Sequence, residues 1–492
     1  MSTGLSCPST ELTRLLALGA ALLSACSLAP AYRPPPPPQV AQYREAGEWA
    51  PAPAASLAQG PWWQAFADPE LDRLEGELTA SNPSLAAALA RFSQARAFAL
   101  GARSNVFPSV DARASGTRAR TSGNAPLGAL LGGRSYTAND YLLGLDMSWE
   151  IDLFGRLRNA AAAAGDRAQA SAADAAALEL SVRASLASDY FSLRGDDAGI
   201  ALLEDTVKSY ASAYTHTAER YKTGIAAQSD VDQAATQLEN ARAQLAAVRL
   251  DRAQLEHAIA VLTGQVPSLF SLGPGALAAA PPPVDAGLPS TLLLRRPDVA
   301  SAERAMAAAN AQIGVARAAW FPNFSLAGAA GFESIAASSW LSAPSQYWSV
   351  GPAGQLPLID FGARLAGTRQ AHGVYEEAVA NYRQTTLTAF QEVEDSLAAL
   401  HHLSDELTAD QAAARAAGSA AFHSLKRYDA GVADYLEVTS TETASLQAQR
   451  AVIATRVARL NAAVALVRAT GGGWSRTDLD GGPAAVSRTV LR

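Results

Sequence analysis

The amino-acid sequence predicts a mostly α-helical fold with a transmembrane β-barrel part, written twice along one chain. Three observations predict it. The first is an internal repeat: RYKTGIA at 220–226 returns as RYDAGVA at 427–433, and Phe154–Gly155 returns as Phe361–Gly362, both 207 positions later. Phe107–Pro108 returns as Phe321–Pro322 at a nearly equal spacing. Landmarks repeated in one order indicate a duplicated unit of about 200 residues, far longer than ordinary solenoid repeats. The second is a pair of long proline-free stretches in each copy. The third is a change of apolar period, from that of a helix to two, between the FP and FG landmarks.

The elements follow in order. Residues 15–25, LLALGAALLSA, form a short apolar run behind Arg14 and end in Leu23-Ser24-Ala25-Cys26. This resembles a secretory signal closed by a bacterial lipobox, with Cys26 as the lipidated mature N-terminus. Ser27 follows where an inner-membrane retention signal would carry aspartate, which favours the outer membrane. Pro34–Pro38 then reads as a stiff spacer rising about 3.1 Å per residue. The expected segments are a signal peptide at 1–25, a lipid-anchored Pro-rich linker at 26–60, a first repeat at 61–280, a second at 281–470 and a tail at 471–492. Cys7 and Cys26 are the two cysteines, so the body has no disulfide and no thiolate metal site.

In each copy a β-hairpin follows the opening helices, at 108–150 in the first and 322–357 in the second. Tyr141, Leu143, Leu145, Met147 and Trp149 alternate with Leu142, Gly144, Asp146 and Ser148. Phe324, Leu326, Gly328, Ala330 and Phe332 alternate with small or polar residues in 323–332, and 346–356 and 109–119 follow the same rule. An apolar-out, polar-in dyad over about ten residues is the pattern of a membrane barrel strand. Trp149, Trp320, Phe321, Tyr136, Tyr141, Trp340 and Trp348 are placed near strand ends, at the membrane interfaces. Four strands cannot close a barrel, which starts at about eight, and an open edge is forbidden in lipid. Copies of the chain must therefore join; 8, 12 or 16 strands from two, three or four chains satisfy the pattern.

Long helices come next. Residues 156–220 and 363–427 contain no proline and would run close to 100 Å each at about 1.5 Å per residue; 229–263 and 434–469 are the return stretches. Leu178, Val182, Leu186, Tyr190 and Leu193 form one narrow stripe, Leu387, Phe390, Val393, Leu397 and Leu400 another. Such stripes with alanine between them suit close-packed coiled-coil seams. Gly224 and Gly431 supply left-handed helix stops at the hairpin turns.

The chemistry excluded is broad. A net charge of −7 without a basic run offers no nucleic-acid surface. No P-loop or nucleophile elbow occurs, so no catalysis and no cofactor is expected beyond the lipid on Cys26. The six histidines are scattered; His401 and His402, being adjacent, are read as unable to share a helix face, and no metal site is expected.

The segments PWWQAFADPELDRL (61–74), WEIDLFGRLRN (149–159), RRPDVASAERAMAAANAQIGVARAAWFPNFSLAGAAGF (295–332) and TGGGW (470–474) resemble those of outer-membrane efflux lipoproteins of the TolC-like, OprM/NodT type. The resemblance implies a homotrimer with a 12-stranded barrel in outer-membrane lipid, four strands per chain, and a long α-helical barrel in the periplasm. It implies a passive duct for small molecules, with a periplasmic adaptor and an inner-membrane RND-type transporter as partners. A type I protein secretion duct and a non-conducting coiled-coil scaffold are the alternatives. Tyr221, Gly224, Ile225, Tyr428, Gly431 and Val432 fall at the adaptor-docking tips and Asp230 and Glu437 at the gate. Ser440 and Ala433 stand where the family carries further gate residues, an aspartate and an arginine.

Overall fold

The computed structural model describes residues 27–35, 40, 42–46, 61–130, 132–278, 280–282 and 295–476. The signal peptide, Cys26, most of the proline-rich linker and the tail beyond 476 lie outside the described residues. In chain order the main elements are α1 (Pro69–Ser81), α2 (Pro83–Ser104), β1 (Ser109–Thr121), α3 (Pro126–Leu130), β2 (Tyr136–Ile151), α4 (Arg156–Lys222) and α5 (Gln228–Leu262). The second copy supplies α6 (Pro297–Ala318), β3 (Asn323–Ser334), β4 (Gln346–Gln355), α7 (Ala363–Asp429) and α8 (Tyr435–Ala469). Both α4 and α7 are unbroken over 67 residues, and both α5 and α8 over 35. The duplication is therefore one of structure as well as of letters.

The chain divides into two compact units. The first, which includes residues 92–170 and 302–382, holds one antiparallel sheet in the order β1-β2-β3-β4. Two separate hairpins are expected from the sequence; pairing of β2 with β3 joins them across the two copies. The register puts Val110 opposite Met147, Met147 opposite Gly328 and Gly328 opposite Val350. The next row is Ala112, Leu145, Ala330 and Trp348. Side chains alternate between faces, so the apolar sets read from four separate segments share one face. Arg118 and Arg120 are the charged residues of that face, toward the β1–β2 turn. Asp111, Arg113, Asp140, Asp146, Glu150 and Glu333 all fall on the other. Trp348 lies two residues into β4, and Tyr141 faces Ser334, the last residue of β3. Trp149 marks a strand end, its Nε1 donating to the Val106 carbonyl at 3.0 Å.

At the helix side of the sheet the landmarks meet. Phe154 of the first copy stacks on Phe321 of the second, with ring centroids 4.6 Å apart and planes inclined by 22°. Asp152 caps α4, accepting from the Leu157 and Arg158 backbone N–H groups at 3.1 and 2.8 Å, where a carboxylate also complements the helix dipole. The segment 27–32 packs here too. Ser27 Oγ donates to Asn159 Oδ1 at 2.9 Å, Asn310 Nδ2 to the Pro30 carbonyl at 2.8 Å, and Tyr32 Oη to Glu303 Oε1 at 2.5 Å.

The second unit contains α1, α4 from residue 171, α5, α7 from residue 383, and α8. The PWWQAFADPELDRL segment is a docking piece: Asp68 caps α1 through its own Oδ1 and accepts from Tyr190 Oη at 2.7 Å. Phe66 packs on Phe191, centroids 4.8 Å apart. Leu186, Tyr190 and Leu193 are buried as their stripe predicts, and so are Val393, Leu397 and Leu400; Leu387 is exposed in the single chain. Arg296 pairs with Asp298 of its own RRPD segment and ties that segment to Glu392, each at 2.6 Å, and to the Ala469 carbonyl at 3.0 Å. Gly471 of TGGGW has φ 93°, and a Cβ there would lie 2.0 Å from the Arg295 carbonyl oxygen. A side chain at that position has no room.

Candidate channel tip and gate

The hairpin turns carry the candidate site, and all of it lies in the second unit. In the first turn Gly224 has φ 73°, with its N–H on the Tyr221 carbonyl and the Ile225 N–H on the Arg220 carbonyl, both at 2.9 Å. In the second, Gly431 has φ 72°, with N–H contacts from Gly431 to Tyr428 and from Val432 to Arg427, again 2.9 Å each. These are left-handed C-terminal helix stops that satisfy two end carbonyls. A Cβ at either glycine would meet nothing within 4 Å, so backbone conformation, not space, demands glycine there. Ile225 and Val432, one residue on, are exposed apolar side chains.

Asp230 and Glu437 occupy the third position of α5 and α8 respectively. Their backbone N–H groups both reach back 3.1 Å, to Ala227 and Asp434. Their side chains then part company. Asp230 turns onto its own helix start, with the Ala227 N–H 3.4 Å from Oδ2. Glu437 accepts from Arg427 Nη1 at 2.6 Å and so bridges the two arms of its hairpin. Arg220, the repeat counterpart of Arg427, lies instead over the Tyr428 ring, 4.8 Å from its centroid.

That contact corrects one expectation. Tyr221 and Tyr428 are repeat equivalents, yet Tyr221 is 45% exposed and Tyr428 only 5%. Tyr428 packs with Ala234, Tyr435 and Val438, at 5.1 Å from the Tyr435 ring, which fastens one hairpin to the other. It has no surface left for docking. The remaining tip residues, Tyr221, Gly224, Ile225, Gly431 and Val432, are exposed.

Sequence reasoning misses Glu442. Burial lifts its carboxyl to about 7, and Oε2 makes no hydrogen bond among the described residues. Burial also raises its neighbours Tyr210 and Tyr435, with the Glu442 charge adding to both. The folded chain keeps this proton up to about pH 7, whereas an unfolded glutamate releases it near 4.5. The stabilising contribution is thus full below the unfolded value and is lost as pH rises through the folded one. Glu442→Gln is expected to flatten the pH dependence of the thermal midpoint between about pH 5 and about pH 8. Melts followed by circular dichroism check it; an unchanged slope would contradict the assignment.

His401 and His402 also differ from expectation. Their rings lie 5.1 Å apart, and their ligand atoms and that of Asp405 all fall within 4.8 Å of one another. Adjacent positions on a helix diverge by about 100°, but long side chains on an exposed surface can swing together. Among the described residues, no helix is long and apolar enough to cross a membrane.

The family model described as outer membrane efflux protein matches residues 74–265 and 288–472. The chain is 33% identical over 468 residues to a probable efflux pump outer membrane protein, TtgC, of Pseudomonas putida, covering 93% of this chain and 95% of that one. It is 33% identical over 459 residues to the outer membrane protein OprJ of Pseudomonas aeruginosa, covering 92% and 94%. Among solved structures, the CmeC outer membrane channel of Campylobacter jejuni superposes with a TM-score of 0.86 at 27% identity, covering 94% and 98%.

Proposed function

The chain belongs to the outer membrane efflux protein family and is an outer-membrane efflux channel, and from that premise we propose that three copies form one gated duct. Each chain contributes four strands to a 12-stranded barrel, and the helical hairpins extend the conduit into the periplasm. An inner-membrane RND-type transporter, coupled through a periplasmic adaptor, delivers small toxic solutes to it. Energy comes from that transporter, since the chain itself performs no catalysis. Tyr221, Gly224, Ile225, Gly431 and Val432 meet the adaptor, and Asp230 and Glu437 present carboxylates at the constricted end, which favours cations over anions.

One observation carries this reading: a single sheet, apolar on one face except for Arg118 and Arg120 toward the β1–β2 turn and charged across the other, with β1 and β4 left as free edges. Such a sheet has no stable place in lipid until its edges are paired. Purified oligomer in a planar bilayer is expected to give discrete conductance steps; silence from an oligomer confirmed as intact would overturn the duct.

Cys26 carries the lipid. The hydrogen bonds that hold Ser27, Pro30 and Tyr32 beside the sheet-proximal end of α4 and along α6 support an anchor at the membrane end of the molecule. Cys26→Ser is expected to abolish the acyl mass in intact-protein spectrometry of the membrane fraction. An unmodified residue 26 in the unsubstituted protein would refute lipidation.

A further inference from the structure

The two copies make one kind of junction inside the chain and leave its counterpart open. From the first copy to the second, β2 pairs with β3 and Phe154 stacks on Phe321. The corresponding elements of a junction from the second copy back to the first are β4, β1, Phe361 and Phe107. All lie in the first unit. β4 and β1 are sheet edges. Phe361 is 99% exposed and Phe107 65% exposed. Phe361 also holds φ 49°, a left-handed conformation that is strained for a residue other than glycine. Among the described residues, nothing packs on this solvated ring to offset that strain.

We propose that Phe361 of one subunit clasps Phe107 of the next, as the intersubunit equivalent of the Phe154–Phe321 stack. The occupant of this surface is a second copy of the chain. Internal repetition supplies the argument: the FG phenylalanine of one copy already receives the FP phenylalanine of the other, and the two unused rings are the same two landmarks. The clasp sits at the helix side of the β4–β1 seam, beside Asp360, which caps α7 through the Gly362 and Arg364 N–H groups at 3.1 and 3.2 Å. The proposal rests on the ring of subunits described above and adds the contact that locks each seam.

Two experiments test it on the full chain in outer membranes. With cysteines at both sites (Phe107→Cys with Phe361→Cys), a short bismaleimide is expected to produce dimers and trimers on denaturing gels. The pair Phe154→Cys with Phe321→Cys is expected to link only within a chain and to run at monomer mass. Separately, Phe361→Ala or Phe107→Ala is expected to shorten the half-life of the detergent-resistant oligomer roughly tenfold, as loss of an aromatic pair at every seam. The double alanine variant is expected to be no worse than the more severe single one, because both remove the same contact. Monomer-only linking of the 107/361 pair, or additive losses in the double variant, would overturn the clasp. Failure of the clasp in an oligomer that still conducts leaves the duct standing. A conductance-silent, monomeric wild type would remove both.

Discussion

Leu145→Arg is expected to stop the chain from assembling in the outer membrane, while Ser349→Lys leaves assembly intact. Leu145 lies in the row of Ala112, Leu145, Ala330 and Trp348 on the apolar face, whereas Ser349 pairs with Ala329 on the opposite face. An arginine on the lipid side of a barrel costs about 2–4 kcal/mol near the bilayer midplane, and a ring of three chains bears that cost three times. A lysine facing a water-filled lumen carries no such cost. The readout is the fraction of chain recovered as detergent-resistant oligomer from isolated outer membranes. Equal losses for the two variants would show that the faces have been assigned wrongly.

The second large effect is expected at the tips. Ile225→Asp combined with Val432→Asp should weaken adaptor binding about a hundredfold and abolish export by the assembled pump. Single-channel conductance of the isolated channel should survive. Both side chains are exposed and follow a glycine whose backbone alone makes the turn, so replacing them leaves the hairpins folded. Burying an aliphatic side chain of this size at an interface is worth about 1.5–3 kcal/mol, and about 1.4 kcal/mol corresponds to a tenfold change in affinity. Co-purification of adaptor with wild-type and variant channel measures it. Undiminished capture would place the docking surface elsewhere.

Much of this architecture is legible in the letters. Proline-free stretches bounded by an FG pair and an RYxxG turn give α4 and α7 to within a few residues, since helix interiors exclude proline. The period-two segments give all four strands, and the register unites their apolar sets on one face. What escapes is whatever depends on contacts between unlike copies. A repeat makes Tyr221 and Tyr428 look equivalent, but only Tyr428 faces another hairpin, and only Arg220 leaves its own hairpin to cover a ring. The β2–β3 pairing and the Phe154–Phe321 stack are likewise long-range events with no local trace. Glu442 is one acidic letter among many on a helix; its burial comes from the surroundings of Tyr210 and Tyr435.

The unequal use of Arg220 and Arg427 has a mechanical consequence. In a ring of three chains the six hairpins alternate between one kind braced by its own Arg427–Glu437 bond and another latched to its neighbour through Arg220 and Tyr428. The aperture then has triangular rather than hexagonal stiffness. High ionic strength slackens the exposed Arg427–Glu437 brace, whereas the latch, resting on a buried ring, is largely indifferent to salt. Dilation driven by ions and dilation driven by a bound partner would accordingly begin at different corners of the same iris.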